Sequence, residues 1–160
     1  MAIPVAALDL ENRHIGPNGE PTLADAFGIL RKQWELGDRD RELGLHLLFI
    51  SWYGNAEPPS LTGFLNSPEA DLQQTFSTVF NYFQPKIHGD AEMLFVIGIA
   101  AIVVPWALGD EKVWEMRARE YLLRYRELMP NGLDPSVFRN RGYYGEYYRG
   151  HVEGGSFTDS

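Results

Sequence analysis

Apolar positions recur at helical spacing along most of this chain. Leu23, Phe27, Leu30 and Trp34, with Ala26 beside them, mark one helix face that Gly37 ends. Thr22, three residues before Asp25, supplies a hydroxyl N-cap and a variant of the capping box. A second helix is predicted over about 39–53, capped by Asp38 and closed by Gly54-Asn55. Its apolar set, Leu43, Leu47, Leu48, Phe49 and Ile50, is wide enough to require burial on more than one side. Ser67-Pro68-Glu69 starts a third helix, whose face carries Leu72, Phe76, Val79, Phe80 and Phe83 and which Pro85 ends. Asp90 opens a fourth. Asp110 caps a fifth, about 111–129, striped by Trp114, Ala118, Tyr121, Leu122, Tyr125, Leu128 and Met129. The other face of that helix pairs Glu115 with Arg119 and Glu120 with Arg124 at i,i+4, acid first. Asp134-Pro135 starts a short last helix. No alternating run of strand length interrupts the series, so the chain is predicted to be all-α.

The fourth element holds 17 consecutive uncharged residues between Glu92 and Asp110. A membrane span needs about 20 apolar residues to cross about 30 Å of hydrocarbon, and 17 at 1.5 Å each cover only about 25 Å. Both flanks are acidic, and no Lys/Arg cluster fixes an orientation. The amphipathic neighbours also need an apolar partner. The stretch is therefore predicted to be the central core helix. Gly98, Ala100 and Ala101 let neighbours approach, and Pro105 kinks or loosens its last turn.

Pro4, Gly16, Pro17, Gly19 and Pro21 punctuate residues 1–21, which are expected to form an extended N-terminal arm. Residues 22–140 then form one α-helical domain, and 141–160 a Tyr/Arg/Gly-rich C-terminal segment and tail. Two tripeptides, Leu36-Gly37-Asp38 and Leu108-Gly109-Asp110, recur 72 residues apart, each between two helices. With the proline-bearing exit "LMPNG" at 128–132, this layout resembles the helix–turn–helix repeat of tetratricopeptide proteins. The pattern departs from that family at Glu42 and Trp114, where small residues are expected, and lacks the W-x2-L-G-x2-Y signature. The resemblance implies stacked helical hairpins and a protein- or peptide-binding scaffold. The expected fold is five main helices as stacked antiparallel hairpins, tetratricopeptide-like or as an irregular helical bundle.

Charge narrows the partners. The net charge is −8, with six basic and 15 acidic side chains in residues 1–111 against eight and seven in 112–160. An acidic body argues against a general nucleic-acid or anionic-membrane binder, and it suits either a solvated surface that keeps the protein soluble or a basic protein partner. The absence of cysteine excludes disulfides, thiolate metal sites and a cysteine nucleophile, and fits a reducing compartment. The N-terminus lacks the positive region of a secretory signal, so a cytoplasmic protein is expected.

Candidate chemistry is sparse. His88 and Glu92 stand at i,i+4, but no HExxH or third ligand accompanies them, and they are read as capping or solvated groups rather than a metal site. No nucleophile elbow, P-loop or dinucleotide fingerprint is present, so no cofactor is expected and binding is favoured over catalysis. His46 lies between Leu45 and Leu47, close to Ser51, Trp52 and Tyr53, where a small-ligand or catalytic pocket is the alternative reading. The stretch "RNRGYYGEYYRGH", 139–151, carries Arg141, Tyr143, Tyr144 and Tyr147. Tyrosines and arginines between glycines suit a stacking platform for single-stranded nucleic acid, but Glu146 and the acidic body oppose it. Tyrosines laid back over the core, or a partner-binding or self-association edge, remain. The chain is thus expected to bind another protein or peptide through the acidic face of its first three helices and this Tyr/Arg segment.

Overall fold

The structure is a computed structural model that describes residues 3–15, 19–65 and 69–154. It contains α1 (Val5–His14), α2 (Leu23–Glu35), α3 (Arg41–Ala56), α4 (Pro59–Thr62), α5 (Glu69–Phe83), α6 (Ala91–Val103), α7 (Glu111–Leu128) and α8 (Gly142–Glu153). Short 3₁₀ turns occupy Gln84–Gly89, Pro105–Ala107 and Pro135–Phe138, and the described residues include no strand.

The all-α expectation and the antiparallel packing of neighbouring helices hold. The five predicted helices correspond to α2, α3, α5, α6 and α7. Gly37 (φ 105°) and Gly109 (φ 143°) make the two Leu-Gly-Asp turns in the left-handed region, where glycine escapes the Cβ clash. Asp90 and Asp110 cap α6 and α7 by accepting from Met93 N at 3.0 Å and Val113 N at 3.2 Å. Thr22 stands at the start of α2, but its hydroxyl donates to Leu10 O at 2.5 Å and ties α2 to α1 instead of capping. Asp38 accepts from Asp40 N at 3.0 Å within the turn, and α3 begins at Arg41. Of the predicted third start, Ser67 and Pro68 lie outside the described residues.

Three expectations need correction. The N-terminal arm is not extended throughout: Val5–His14 is a helix that packs on α2 and α8. Pro4 stands just before its first turn, where a missing N–H costs nothing. Residues 142–153 are likewise helical despite three glycines. The short helix expected from Asp134-Pro135 is a single 3₁₀ turn.

Most of the uncharged run is core, as the sequence predicts, while Ile102, Val103 and Trp106 near its end are exposed. α6 is buried continuously from Glu92 to Ala101, and Pro105 ends it two residues before opening a 3₁₀ turn. No helix among the described residues is long and apolar enough to cross a membrane. α6 shares the central role with α3, which is buried from Leu43 to Gly54 and touches α2, α5, α6 and α8. Gly98 and Gly44 permit this density, because a Cβ on either would run into Leu122 or Phe83.

Candidate functional site

α3 and the beginning of α8 bring all seven sequence-predicted residues together, four of them buried and Arg141, Tyr143 and Tyr147 half-buried. His46, Trp52 and Tyr53 of α3 are buried, and so is Tyr144 of α8. Trp52 donates its indole N–H to Val104 O at 3.2 Å. Tyr53 and Tyr143 share a hydroxyl contact of 3.1 Å, and both meet Tyr147 edge-on within an aromatic cluster centred on Phe49. Burial, and then the bond to Tyr143, raises the Tyr53 phenol above its ordinary range. Burial likewise pushes Tyr147 up to about 12. The α8 tyrosines are therefore laid back on the core. His46, Trp52 and Tyr53 are buried against α8 and its neighbours.

Around His46 lies an ion network that links four helices. His46 Nδ1 meets Glu11 Oε2 of α1 at 2.6 Å, with both side chains fully buried. The other Glu11 oxygen accepts from the Tyr144 backbone N–H at 3.2 Å. Gly142 (φ 69°) allows this approach, since a Cβ there would fall 2.6 Å from Glu11 Oε1. The Tyr144 ring stacks on His46 at 4.7 Å and donates its hydroxyl to Glu92 of α6. Arg141, just before α8, grips Glu42 of α3 through two nitrogens and reaches Glu92 Oε2 at 2.7 Å. Arg41 completes the row toward solvent, bidentate on Asp90 at 2.7 and 2.8 Å and 3.4 Å from Glu92.

The charges beside Glu42 and Asp90 favour their ionised forms against partial burial. Burial opposes ionisation of Glu42, yet the Arg141 hydrogen bonds and the charges of His46 and Arg41 hold its carboxyl below the usual range. Asp90 follows the same balance, with Arg41 and the Met93 N–H outweighing burial. Burial and the neighbouring Glu92 raise the Tyr144 phenol, which stays a donor. Among the described residues His46 Nε2 has no hydrogen-bond partner, and it stands 3.8 Å from Glu42 Oε1. Among the described residues no group of His, Asp and Glu is arranged to hold a metal. The network is a clamp that fastens α1 and α8 to α3 and α6. Of its members, sequence reasoning singled out His46, Arg141 and Tyr144. It missed Glu11, Glu42, Glu92, Arg41 and Asp90. The available signals were Glu42 one helical turn before His46 and Glu92 at the head of an apolar run.

Exposed apolar groups concentrate elsewhere, on the outer face of α7 and the end of α6. Met116 is 68% and Leu123 61% exposed, seven residues apart on one line of α7. Val113 lies on the same face, and Ile102 of α6 joins Leu122 and Leu123 in a shallow groove that Arg119 and Arg126 border. A second hollow, formed by Val113, Met116, Arg117, Arg119 and Glu120, continues it. Lys112, Arg119 and Arg126 recur every seventh residue along one edge of this ridge. On the opposite edge the acids are already engaged: Glu120 with His88 at 3.2 Å and Glu127 with Arg124 at 3.9 Å. Comparison with family models, curated proteins and solved structures finds no match to this chain.

Proposed function

We propose that the protein is a helical interaction module that takes an acidic, amphipathic helix of another protein on the outer face of α7. The observation that carries this is the ridge of Met116 and Leu123 beside the row Lys112, Arg119 and Arg126. Contiguous exposed apolar surface of this kind marks interaction sites, and helix-in-groove recognition uses anchors at i, i+3/i+4 and i+7. Charge complementarity selects the occupant. The cationic edge favours Asp or Glu on the partner. A second copy fits less well: antiparallel pairing of α7 about a two-fold sets each edge against itself, so cations face cations. The paired helices α2–α3 and α6–α7, each joined through a Leu-Gly-Asp turn, support a stacked-hairpin, tetratricopeptide-like arrangement for such a scaffold.

The test is selection from a random helical peptide library against the whole chain. Enriched peptides should carry spaced apolar residues flanked by Asp or Glu, bind more weakly as salt rises, and lose binding to Met116→Asp/Leu123→Asp. Both side chains are solvent-facing, so that variant should keep its melting temperature. Peptides that bind the double variant equally well, or a selection that yields nothing, would overturn the proposal.

A further inference from the structure

A cleft of about 400 Å³ opens between the α2–α3 turn and the end of α5, lined by Arg39, Arg41, Tyr82, Phe83, Pro85 and Lys86. Its composition departs from the rest of the acidic body. Residues 1–111 contain six basic side chains against 15 acidic ones, and three of the six line this cleft, with no acid among its lining residues. Its volume lies within the range of small-molecule pockets, about 300–1,000 Å³.

The cations hold different positions. Arg41 lines the cleft and is paired with Asp90 at 2.7 Å. Arg39 is fixed by rings and carbonyls, with the Asp38 carboxylate close enough to feel its charge. Its guanidinium lies 3.9 Å over the Trp34 ring and 5.7 Å from that of Tyr82. Its Nη1 donates to the carbonyls of Trp34 at 2.6 Å and Asp38 at 2.9 Å. Neither bond is to a carboxylate, and together they pre-order the guanidinium for an incoming anion. Lys86 stands exposed at the rim.

The walls are flat and apolar. Tyr82 is half exposed and is held edge-on against Trp34 at 5.6 Å and Phe83 at 4.9 Å. Pro85, which closes α5, adds a rigid ring beside them. A large aromatic kept at the surface by two such contacts offers a stacking face at little entropic cost.

We infer that this cleft binds a small organic anion that joins a planar ring to a carboxylate or phosphate. The ring lies against Tyr82 and Phe83, and the anionic group meets Arg39 and Lys86. This site is separate from the α7 ridge and stands whether or not that ridge binds a peptide.

Titration of the full chain with phenyl phosphate and with benzoate, followed by amide chemical shifts, tests the assignment. Inorganic phosphate and benzyl alcohol serve as single-feature controls. Saturable shifts confined to residues 39–41 and 82–86 are expected with at least one ring-bearing anion. Each control should bind more weakly than that anion. Arg39→Gln and Lys86→Gln should each weaken it by about tenfold, the effect of one charge-assisted hydrogen bond. Tyr82→Ala should weaken the ring-bearing anion but not inorganic phosphate. Lys86 and Tyr82 lie at the surface, so these variants test binding even if Arg39→Gln disturbs the turn. Absence of saturable shifts, equal binding of inorganic phosphate, or undiminished binding by Lys86→Gln and Tyr82→Ala would each overturn the inference.

Discussion

Arg141 reaches across 99 residues of sequence to hold Glu42, Nε on Oε2 at 3.0 Å and Nη2 on Oε1 at 2.5 Å. The same Nη2 also meets Glu92, so one guanidinium joins α3 and α6 at the point where α8 begins. Bidentate geometry of this kind is specific to arginine.

Removing that cation leaves Glu42 and Glu92 facing each other with little solvent to separate them. Arg141→Gln is expected to cost about 3–5 kcal/mol in urea unfolding, the usual penalty for breaking a buried pair on one side. Arg141→Lys should fall between, since it keeps the charge but loses the fork. A loss below about 1 kcal/mol would show that the carboxylates relax into water as surface pairs do.

This clamp explains which elements were legible in the sequence. α2, α5 and α7 bury apolar stripes at helical spacing, and α3 and α6 are apolar nearly all round. Gly37, Gly109, Asp90 and Asp110 punctuate them through their backbone chemistry. α1 has no such stripe, because its buried positions are Ala7, Glu11 and His14, two of them polar. What holds it in place is a carboxylate whose partner lies 35 residues away, a separation no local pattern encodes. α8 was hidden by Gly142, Gly145 and Gly150, although Tyr144 and Tyr148 at i,i+4 carried its core face. Tyrosine and arginine between glycines suit an exposed platform equally well. Only the acids on α1, α3 and α6 decide that Arg141 and Tyr144 turn inward.

Acid should loosen the same corner before it titrates the carboxylates. Burial lowers the imidazoles of His14 and His151, outweighing for His14 the bond to Glu20 O and the charge of Glu57. Their rings pack against Tyr143 at 4.6 Å and Tyr147 at 4.9 Å. Because the folded values lie below the ordinary 6.5, the unfolded chain binds more protons in that window, and stability rises with pH there. Thermal midpoints should therefore fall as pH drops from about 6.5 to about 5. The His14→Gln/His151→Gln variant should flatten that slope. Glu42 and Asp90, held low, contribute stability above the ordinary carboxylate range and lose it only as pH falls through their folded values. An unchanged slope in the double variant would assign the effect to other groups.

The Glu11–His46 pair decides whether the network is a clamp or a site awaiting a substrate. Glu11→Leu strips a partner from His46 Nδ1 and from the Tyr144 N–H, and His46→Leu leaves the Glu11 carboxylate buried without its imidazole donor. Each single change is expected to cost about 3–5 kcal/mol. The double Leu variant leaves the Tyr144 N–H as the orphan of this pair and fills the space with apolar groups of similar size. It should be more stable than the sum of the single losses predicts, with a coupling of about 1.5 kcal/mol or more in a double-mutant cycle. Additive losses would mean the two side chains act independently despite their 2.6 Å contact. The same variant separates structure from function. If the pair only fastens α1 and α8, peptides selected on the α7 ridge should bind the refolded double variant as they bind the original chain, whereas loss of that binding in a fully folded variant would place His46 within the working site.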